Sequence, residues 1–266
     1  MIALEIFRIN KKFGLTIQMT TDYYSVSEHV VKVFEKVIYW LFVCCLPALL
    51  ITSTLRWEIN EFRLYEYGFD KYQISQATGI DRMELGKVAQ HLIDYFNSKV
   101  NTAQIMVTKD GVEFSLFNER ELIHLRDVRS LVQLDYRVQM IVLSLMVICI
   151  FVLILGFRAG WLTFVTGLFW GGILTFGLVV VLSLWAIFGF EQLFVLFHLV
   201  SFPNEYWMLD PARDYLIRLF PEGFFYDAAL LGFAVILLKS VFISGVAFGV
   251  LRLVGRPHLE GVKPKV

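Results

Sequence analysis

The sequence predicts a membrane α-helical protein with four transmembrane helices and a small α+β domain between the first and second of them. Its 266 residues are 57% hydrophobic and only 18% charged, whereas soluble domains average about 45–50% apolar and about 25% charged residues. Four apolar runs are also long enough to cross a bilayer, which takes roughly 20 mostly apolar residues. This composition excludes an ordinary soluble enzyme and a disordered chain.

The apolar runs divide the chain into spans and connections. We predict spans at residues 37–55, 138–156, 161–188 and 227–251. The remaining parts are an N-terminal extension at 1–36, a long segment at 56–137, a short loop at 157–160, an aromatic segment at 189–226 and a tail at 252–266. The extension has no small-residue cleavage site after an apolar stretch, so we do not interpret it as a signal peptide.

Lysine and arginine are unevenly distributed among the shorter connections. The N-terminal extension and the C-terminal tail carry several each, and the 157–160 loop carries Arg158, whereas the 189–226 segment has only Arg213 and Arg218. The positive-inside rule then places both termini in the cytoplasm and the segments 56–137 and 189–226 on the extracytoplasmic side. The chain has 24 basic and 24 acidic residues, and without a basic block we expect no nucleic-acid partner.

The long segment 56–137 carries the signals of folded structure. Residues 79–98 have the apolar period of an amphipathic helix. Residues 104–116 alternate around Lys109-Asp110-Gly111, which indicates a β-hairpin. Asn118 followed three residues later by Glu121 resembles a capping box, so a new helix is predicted to begin there and to lead into the second span.

Two histidines from different connections are the candidate acid and base. His124 and Asp127 are three residues apart and share one face of the predicted helix. His198 lies in an apolar stretch just after the third span, where an imidazole needs a partner. Both positions fall near the extracytoplasmic lipid boundary, so we expect the rings to converge as an acid/base pair facing a membrane-embedded substrate. The alternative is a charged surface helix and a structural interfacial histidine.

Other polar groups within apolar surroundings have simpler interpretations. Asp210, Arg213 and Asp214 form a charge cluster that also fits helix capping after Pro211. Cys44, Cys45 and Cys149 all lie in apolar runs, which predicts neither a disulfide framework nor a zinc site. Lys239 lies deep in the fourth span, where a charge suggests function unless its side chain extends toward the cytoplasmic face.

Two stretches of the sequence resemble the Lit family, the bacterial lipoprotein intramolecular transacylases. They are FNERELIHLRDVRSLV at 117–132 and FHLVSFPNEYWMLDPARDYLIRLFPEGFFYDA at 197–228. The resemblance implies an enzyme of the bacterial plasma membrane that moves the sn-2 acyl chain of S-diacylglyceryl-cysteine to the α-amine of the same cysteine. The product is a lyso-form lipoprotein, and His124 and His198 match the family's two histidines.

On this basis we expect three catalytic and four substrate-binding side chains. The catalytic set is His124, His198 and Asp127, and the substrate-binding set is Glu121, Trp207, Asp210 and Arg213. No metal or organic cofactor is needed, because acyl migration moves no electrons. The expected partners are a diacylated lipoprotein and membrane phospholipid, and a monomer is favoured.

Three other functions fit the same residues. The first is a membrane lipid hydrolase or an intermolecular acyltransferase. The second is a non-catalytic membrane sensor or assembly protein. The third is a haem protein with His124 and His198 as axial ligands. A transporter is disfavoured because the spans hold few polar groups and show no inverted repeat.

Overall fold

The computed structural model describes the backbone of residues 2–156 and 160–254 and the side chains of residues 30–156 and 160–254. Its elements are α1 (Ile2–Asn60), α2 (Phe62–Lys71), α3 (Ile74–Thr78), α4 (Arg82–Phe96), β1 (Met106–Lys109), β2 (Val112–Ser115), α5 (Glu119–Gly156), α6 (Gly160–Ser201), α7 (Tyr215–Leu219) and α8 (Glu222–Val254). Most of the predicted 157–160 loop with Arg158, and the predicted tail beyond residue 254, lie outside the described residues.

Four of the described helices are long and apolar enough to cross a membrane: α1 from Val30 onward, α5, α6 and α8. The prediction of a four-span helical membrane protein is thereby confirmed, and each helix extends beyond its predicted span. Helix α5 runs without interruption from Glu119 to Gly156, so the helix that carries His124 also forms the second span. Any shift of this membrane helix along its axis therefore displaces His124 as well.

Small residues on α6 allow the membrane helices to approach closely. A Cβ on Gly171 would lie 2.9 Å from Cδ2 of Leu46 on α1, and one on Gly172 would clash with Oγ of Ser244 on α8. Such small side chains are typical of helix contacts in membranes. The sequence also suggests close packing at Gly245 and Gly249, but a Cβ at either position meets nothing within 4 Å among the described residues.

The segment 56–137 contains the predicted helix and hairpin. Helix α4 buries the apolar face expected for residues 79–98, including Leu85, Val88 and Leu92. Strands β1 and β2 pair antiparallel, with Val107 opposite Phe114. Asp110 and Gly111 both have positive φ, 52° and 79°, as the twist of a two-residue hairpin requires.

One hydrophobic core joins the segment 56–137 to the segment 189–226. Leu85 and Leu92 of α4 belong to the same buried cluster as Leu219 of α7, Phe220 and Phe224. The two segments therefore lie together at one end of the membrane helices. This shared core brings the regions around His124 and His198 to the same end of the molecule.

Lys239 extends toward the end of α1 that leads into residues 56–137. Its Nζ donates a hydrogen bond to Oγ1 of Thr54 at 3.0 Å, and Thr54 in turn donates to the carbonyl of Leu50. If the segment 56–137 is extracytoplasmic, as predicted, this direction is away from the cytoplasmic face. The hydroxyl supplies the polar partner that a charged group in a membrane helix needs.

We expect Gly172→Ala to destabilise the protein by about 1–3 kcal/mol, the usual cost of overpacking. The added Cβ would clash with Ser244 and lie 3.0 Å from the backbone carbonyl of Ser240, which cannot rotate away. The measurement is the midpoint of thermal unfolding in detergent. Gly177→Ala on the same helix is the matched control, because a Cβ there meets nothing within 4 Å. Equal midpoints for the two variants would contradict the packing.

Candidate functional site

A reciprocal pair of hydrogen bonds fixes the start of α5. The Asn118 N–H donates to Oε2 of Glu121 at 2.7 Å, and the Glu121 N–H donates to Oδ1 of Asn118 at 3.1 Å. The capping box predicted from the sequence is confirmed by these contacts. Because it satisfies two backbone donors that a helix start leaves free, the first turn of α5 is well defined. His124 lies one turn further along.

Glu121 and Asn118 also tie α5 to the segment 189–226. Oε1 of Glu121 accepts the Leu216 N–H at 2.6 Å, and Nδ2 of Asn118 donates to Oδ1 of Asp214 at 2.8 Å. Glu121 is only 1% exposed. Since both of its oxygens are occupied by backbone donors, its geometry supports a structural role and not the substrate contact that we expected.

His198 is placed by the last part of α6. The helix is interrupted at Gly189, and residues 190–201 form a separate helical piece beyond the interruption. Nδ1 of His198 lies 2.7 Å from the carbonyl oxygen of Phe194. Because a carbonyl only accepts, Nδ1 carries the proton, and in the neutral ring Nε2 is left as an acceptor.

The two imidazoles meet. The ring centroids of His124 and His198 are 6.1 Å apart with an interplanar angle of 33°, which confirms the convergence inferred from the sequence. The residues are only 7% and 8% exposed. Desolvation favours the uncharged imidazole, so at neutral pH the pair is best described as two neutral rings.

Aromatic rings enclose the histidine pair. Phe202 lies 5.1 Å from the ring of His124 and 5.5 Å from that of His198. Trp207 lies 4.8 Å from His198, and Phe197, an exposed side chain, lies 5.4 Å from it. Phe202 thus contacts both imidazoles.

Asp127 is not bonded to His124. Its Oδ2 accepts a hydrogen bond from Nδ2 of Asn204 at 2.8 Å. Nδ1 of His124 is buried and has no hydrogen-bond partner within the described part of the chain. No hydrogen bond among the described residues supports the expected orientation of the imidazole by Asp127, and that role stays a prediction.

The family model for "Lipoprotein intramolecular transacylase Lit" matches residues 40–225. That range covers most of the chain and includes both histidines. The chain belongs to the Lit family. It is therefore a membrane-integral acyltransferase, as the sequence resemblance implied.

Solved structures of the lipoprotein intramolecular transacylase Lit from Bacillus cereus share the fold. One is 23% identical, with a TM-score of 0.66 over 83% of this chain and 95% of that one. Two others carry a histidine substitution. The arginine variant is 21% identical with a TM-score of 0.67 over 85% and 96% of the two chains. The alanine variant is 21% identical with a TM-score of 0.68 over 85% and 98%. No curated protein matches the chain.

Asp210 and Arg213 form a surface pair in this Lit family member. The Arg213 side chain is 74% exposed, and its Nε lies 3.0 Å from Oδ2 of Asp210. A hydrogen bond from the Ala212 N–H lowers the pKa of Asp210, and the neighbouring Arg213 guanidinium lowers it further by a smaller amount. These contacts fit the capping interpretation of the cluster. Neither side chain contacts the histidine pair, so their predicted role as substrate ligands gains no support.

Arg120 is a site residue that the sequence analysis missed. Its Nη2 donates to the backbone carbonyls of Glu205 and Met208 at 2.6 and 2.9 Å. It lies one turn before His124 on the same face of α5. The sequence does not predict a hydrogen bond from Arg120 to a backbone carbonyl of an irregular loop. It does show that Arg120 and His124 have the i, i+4 spacing of neighbours on one helix face.

In the described residues, no group of His, Cys, Asp and Glu side chains could hold a metal.

We expect Glu121→Ala to lower the stability of the protein, since it leaves the buried Leu216 N–H and the partly buried Asn118 N–H without their acceptors. Each orphaned donor costs about 1–3 kcal/mol. The measurement is thermal unfolding in detergent. Glu119→Ala, which removes an exposed carboxylate from the same turn, is the control and should unfold like the wild type. A stable Glu121→Ala protein would show that the tie is dispensable.

Proposed function

We propose that this chain moves the sn-2 acyl chain of S-diacylglyceryl-cysteine to the α-amine of the same cysteine, which gives a lyso-form lipoprotein. The observation that carries the proposal is the pair of buried imidazoles, with centroids 6.1 Å apart, in a chain of the Lit family. A lipoprotein anchored by its own acyl chains brings the ester and the amine to this pair together.

The reaction is an isomerisation in which every atom stays on the substrate. The amine nitrogen attacks the ester carbonyl carbon, a C–N bond forms, and the bond from that carbon to the glyceryl oxygen breaks. One proton leaves the amine, and one proton reaches the glyceryl oxygen. Because nucleophile and ester share one molecule, correct orientation contributes as much as about 7–11 kcal/mol. Acid/base catalysis adds about 10²–10⁴-fold.

The hydrogen bonds of the two rings favour different roles for them. The carbonyl of Phe194 holds the proton on Nδ1 of His198, so Nε2 of His198 is the acceptor for the amine proton. In His124 the nitrogen that is fully buried and has no hydrogen-bond partner among the described residues is Nδ1. A buried N–H without a partner is rarer than a bare acceptor, which favours a proton on Nε2. His198 is then the base, and His124 donates to the glyceryl oxygen. From the sequence we had expected the opposite, with His124 as the base and His198 as the acid.

We place this chemistry on the extracytoplasmic side of the bacterial plasma membrane. The support is the distribution of lysine and arginine among the short connections. The shared core of the segments 56–137 and 189–226 is consistent with both segments lying on one side. Phe197 is exposed while contacting His198, which suggests that the acyl chains approach from the outer leaflet along α6. The enzyme acts as a monomer on a diacylated lipoprotein among phospholipids.

Hydrolysis is the principal competing reaction at such a pair. Both histidines are less than a tenth exposed and enclosed by aromatic rings. Few water molecules therefore reach the ester, whereas the substrate amine is delivered with it. The enclosure thus supports transfer to the amine over release of fatty acid.

We expect His124→Ala and His198→Ala each to reduce N-acylation by at least about 10²-fold, because each removes one proton-transfer group. The assay is mass spectrometry of a diacylated reporter lipopeptide incubated with purified enzyme. His91→Ala is the matched control, because His91 is a partly exposed ring on α4, outside the histidine pair, whose Nε2 lies 3.0 Å from the Thr102 carbonyl oxygen. Full activity in either site variant would remove that ring from the mechanism.

The same assay separates the alternative reactions. A mixture of two reporters, one with deuterated acyl chains and one with a heavy peptide, should give products in which each acyl chain stays on its own peptide. Exchange of label between peptides would indicate intermolecular transfer, and free fatty acid would indicate hydrolysis. If the purified wild-type enzyme leaves every reporter unchanged, a non-catalytic function is favoured.

A further inference from the structure

The histidine pair lies beneath a covering segment. Residues 202–208, which we call the cover, contribute Phe202, which contacts both imidazoles, and Trp207, which contacts that of His198. With His124 and His198 only 7% and 8% exposed, no lipid head group reaches both rings in this conformation. The cover must therefore move before a substrate ester is seated between them.

Two polar ties hold the cover to α5, one on either side of His124. At one end Asn204 donates to Asp127 at 2.8 Å. At the other end Arg120 donates from Nη2 to the carbonyls of Glu205 and Met208. Helix periodicity places Arg120 one turn before His124 and Asp127 one turn after it. The ties are thus built on the helix face that carries the candidate acid.

The Arg120 guanidinium is poorly satisfied while the cover is closed. Its Nε is buried and has no hydrogen-bond partner among the described residues. The tie places two neutral carbonyl oxygens against a permanent cation, and the guanidinium could bond more strongly to an oxygen bearing negative charge. A buried, incompletely paired donor is costly, which makes the closed arrangement easy to exchange for a better acceptor.

We propose that Arg120 is the carbonyl receptor of the active site: when the cover lifts, its guanidinium exchanges the carbonyls of Glu205 and Met208 for the carbonyl oxygen of the substrate ester. This inference rests on the proposed function. The ester oxygen becomes negatively charged when the amine adds to its carbon, and a fixed cation one turn from His124 stabilises that charge. Arg120 stays protonated throughout and forms no covalent bond.

The location of the other arginine in the predicted site supports this choice. Arg213 is the arginine of the predicted substrate-binding set, but its side chain is largely solvent-exposed and paired with Asp210. Arg120 instead has a buried Nε and a partly buried side chain. In the closed state it already binds the chemical group that the substrate would present, a carbonyl oxygen.

The test compares steady-state kinetics of three variants on the diacylated reporter lipopeptide in detergent. We expect Arg120→Gln to lower kcat by about 10²–10³-fold, the usual effect of removing one oxyanion donor. Arg120→Lys, which keeps the charge without the planar fork, should recover part of that loss. Arg126→Gln removes the same charge from an exposed position of α5 and should leave kcat unchanged.

A fourth variant separates substrate contact from mere closure of the cover. Asn204→Ala releases the other tie and leaves the guanidinium intact, so its kcat should fall less than tenfold. If Arg120→Gln and Asn204→Ala give the same loss of kcat, Arg120 acts only through the cover and the proposal is overturned. Thermal unfolding of each variant shows whether it is folded, and a folded Arg120→Gln enzyme with normal kcat also overturns it.

Failure of this inference is distinguishable from failure of the proposed function. If the wild type makes the N-acylated product and His124→Ala does not, while Arg120→Gln retains full kcat, only the receptor role is wrong. If the wild type makes no N-acylated product at all, the proposed function itself is wrong.

Discussion

The geometry of the site depends on one buried carboxylate, that of Glu121. Its two oxygens accept backbone N–H groups from residues 98 positions apart in the chain, Asn118 and Leu216 (216 − 118). The first bond sets the start of α5, and the second sets the position of the segment 189–226 against that start. A carboxylate that is 1% exposed is tolerated because backbone donors replace the water it has lost. Glu121 thus links the start of α5, one turn before His124, to the segment that contains the cover.

His198 reaches the pair by an independent route. The interruption of α6 at Gly189 redirects the last helical piece, and the Phe194 carbonyl then fixes the imidazole one turn later. Because α5 and α6 are both membrane helices, the spacing between the rings is linked to the packing of the bundle. Small residues such as Gly172 permit that packing. A change in the packing of the membrane helices would therefore change the distance between the two imidazoles.

The parts of the fold that were predictable are those determined by local sequence. The capping box at Asn118, the turn at Asp110 and Gly111, and the apolar face of α4 each require only a few neighbouring residues, and each is present. The histidine pair was predictable from topology alone. By contrast, Asp127 bonds Asn204, which lies 77 positions away, so its partner depends on how an irregular segment folds. The carbonyls bound by Arg120 are backbone groups and leave no residue-type signal.

Burial of the site and the nature of the reaction are connected. A hydrolase must admit water to its ester, and a transferase with two substrates must exchange one for the other at an open site. An intramolecular acyl shift needs neither, because the nucleophile enters with the ester. The enclosure of His124 and His198 by Phe202 and Trp207 therefore excludes water while the cover is closed, and the productive nucleophile enters together with the ester when the cover lifts. Two neutral imidazoles suffice for this reaction in a buried site because it creates no net charge. The proton removed from the amine nitrogen is balanced by one given to the glyceryl oxygen within the same enclosed volume.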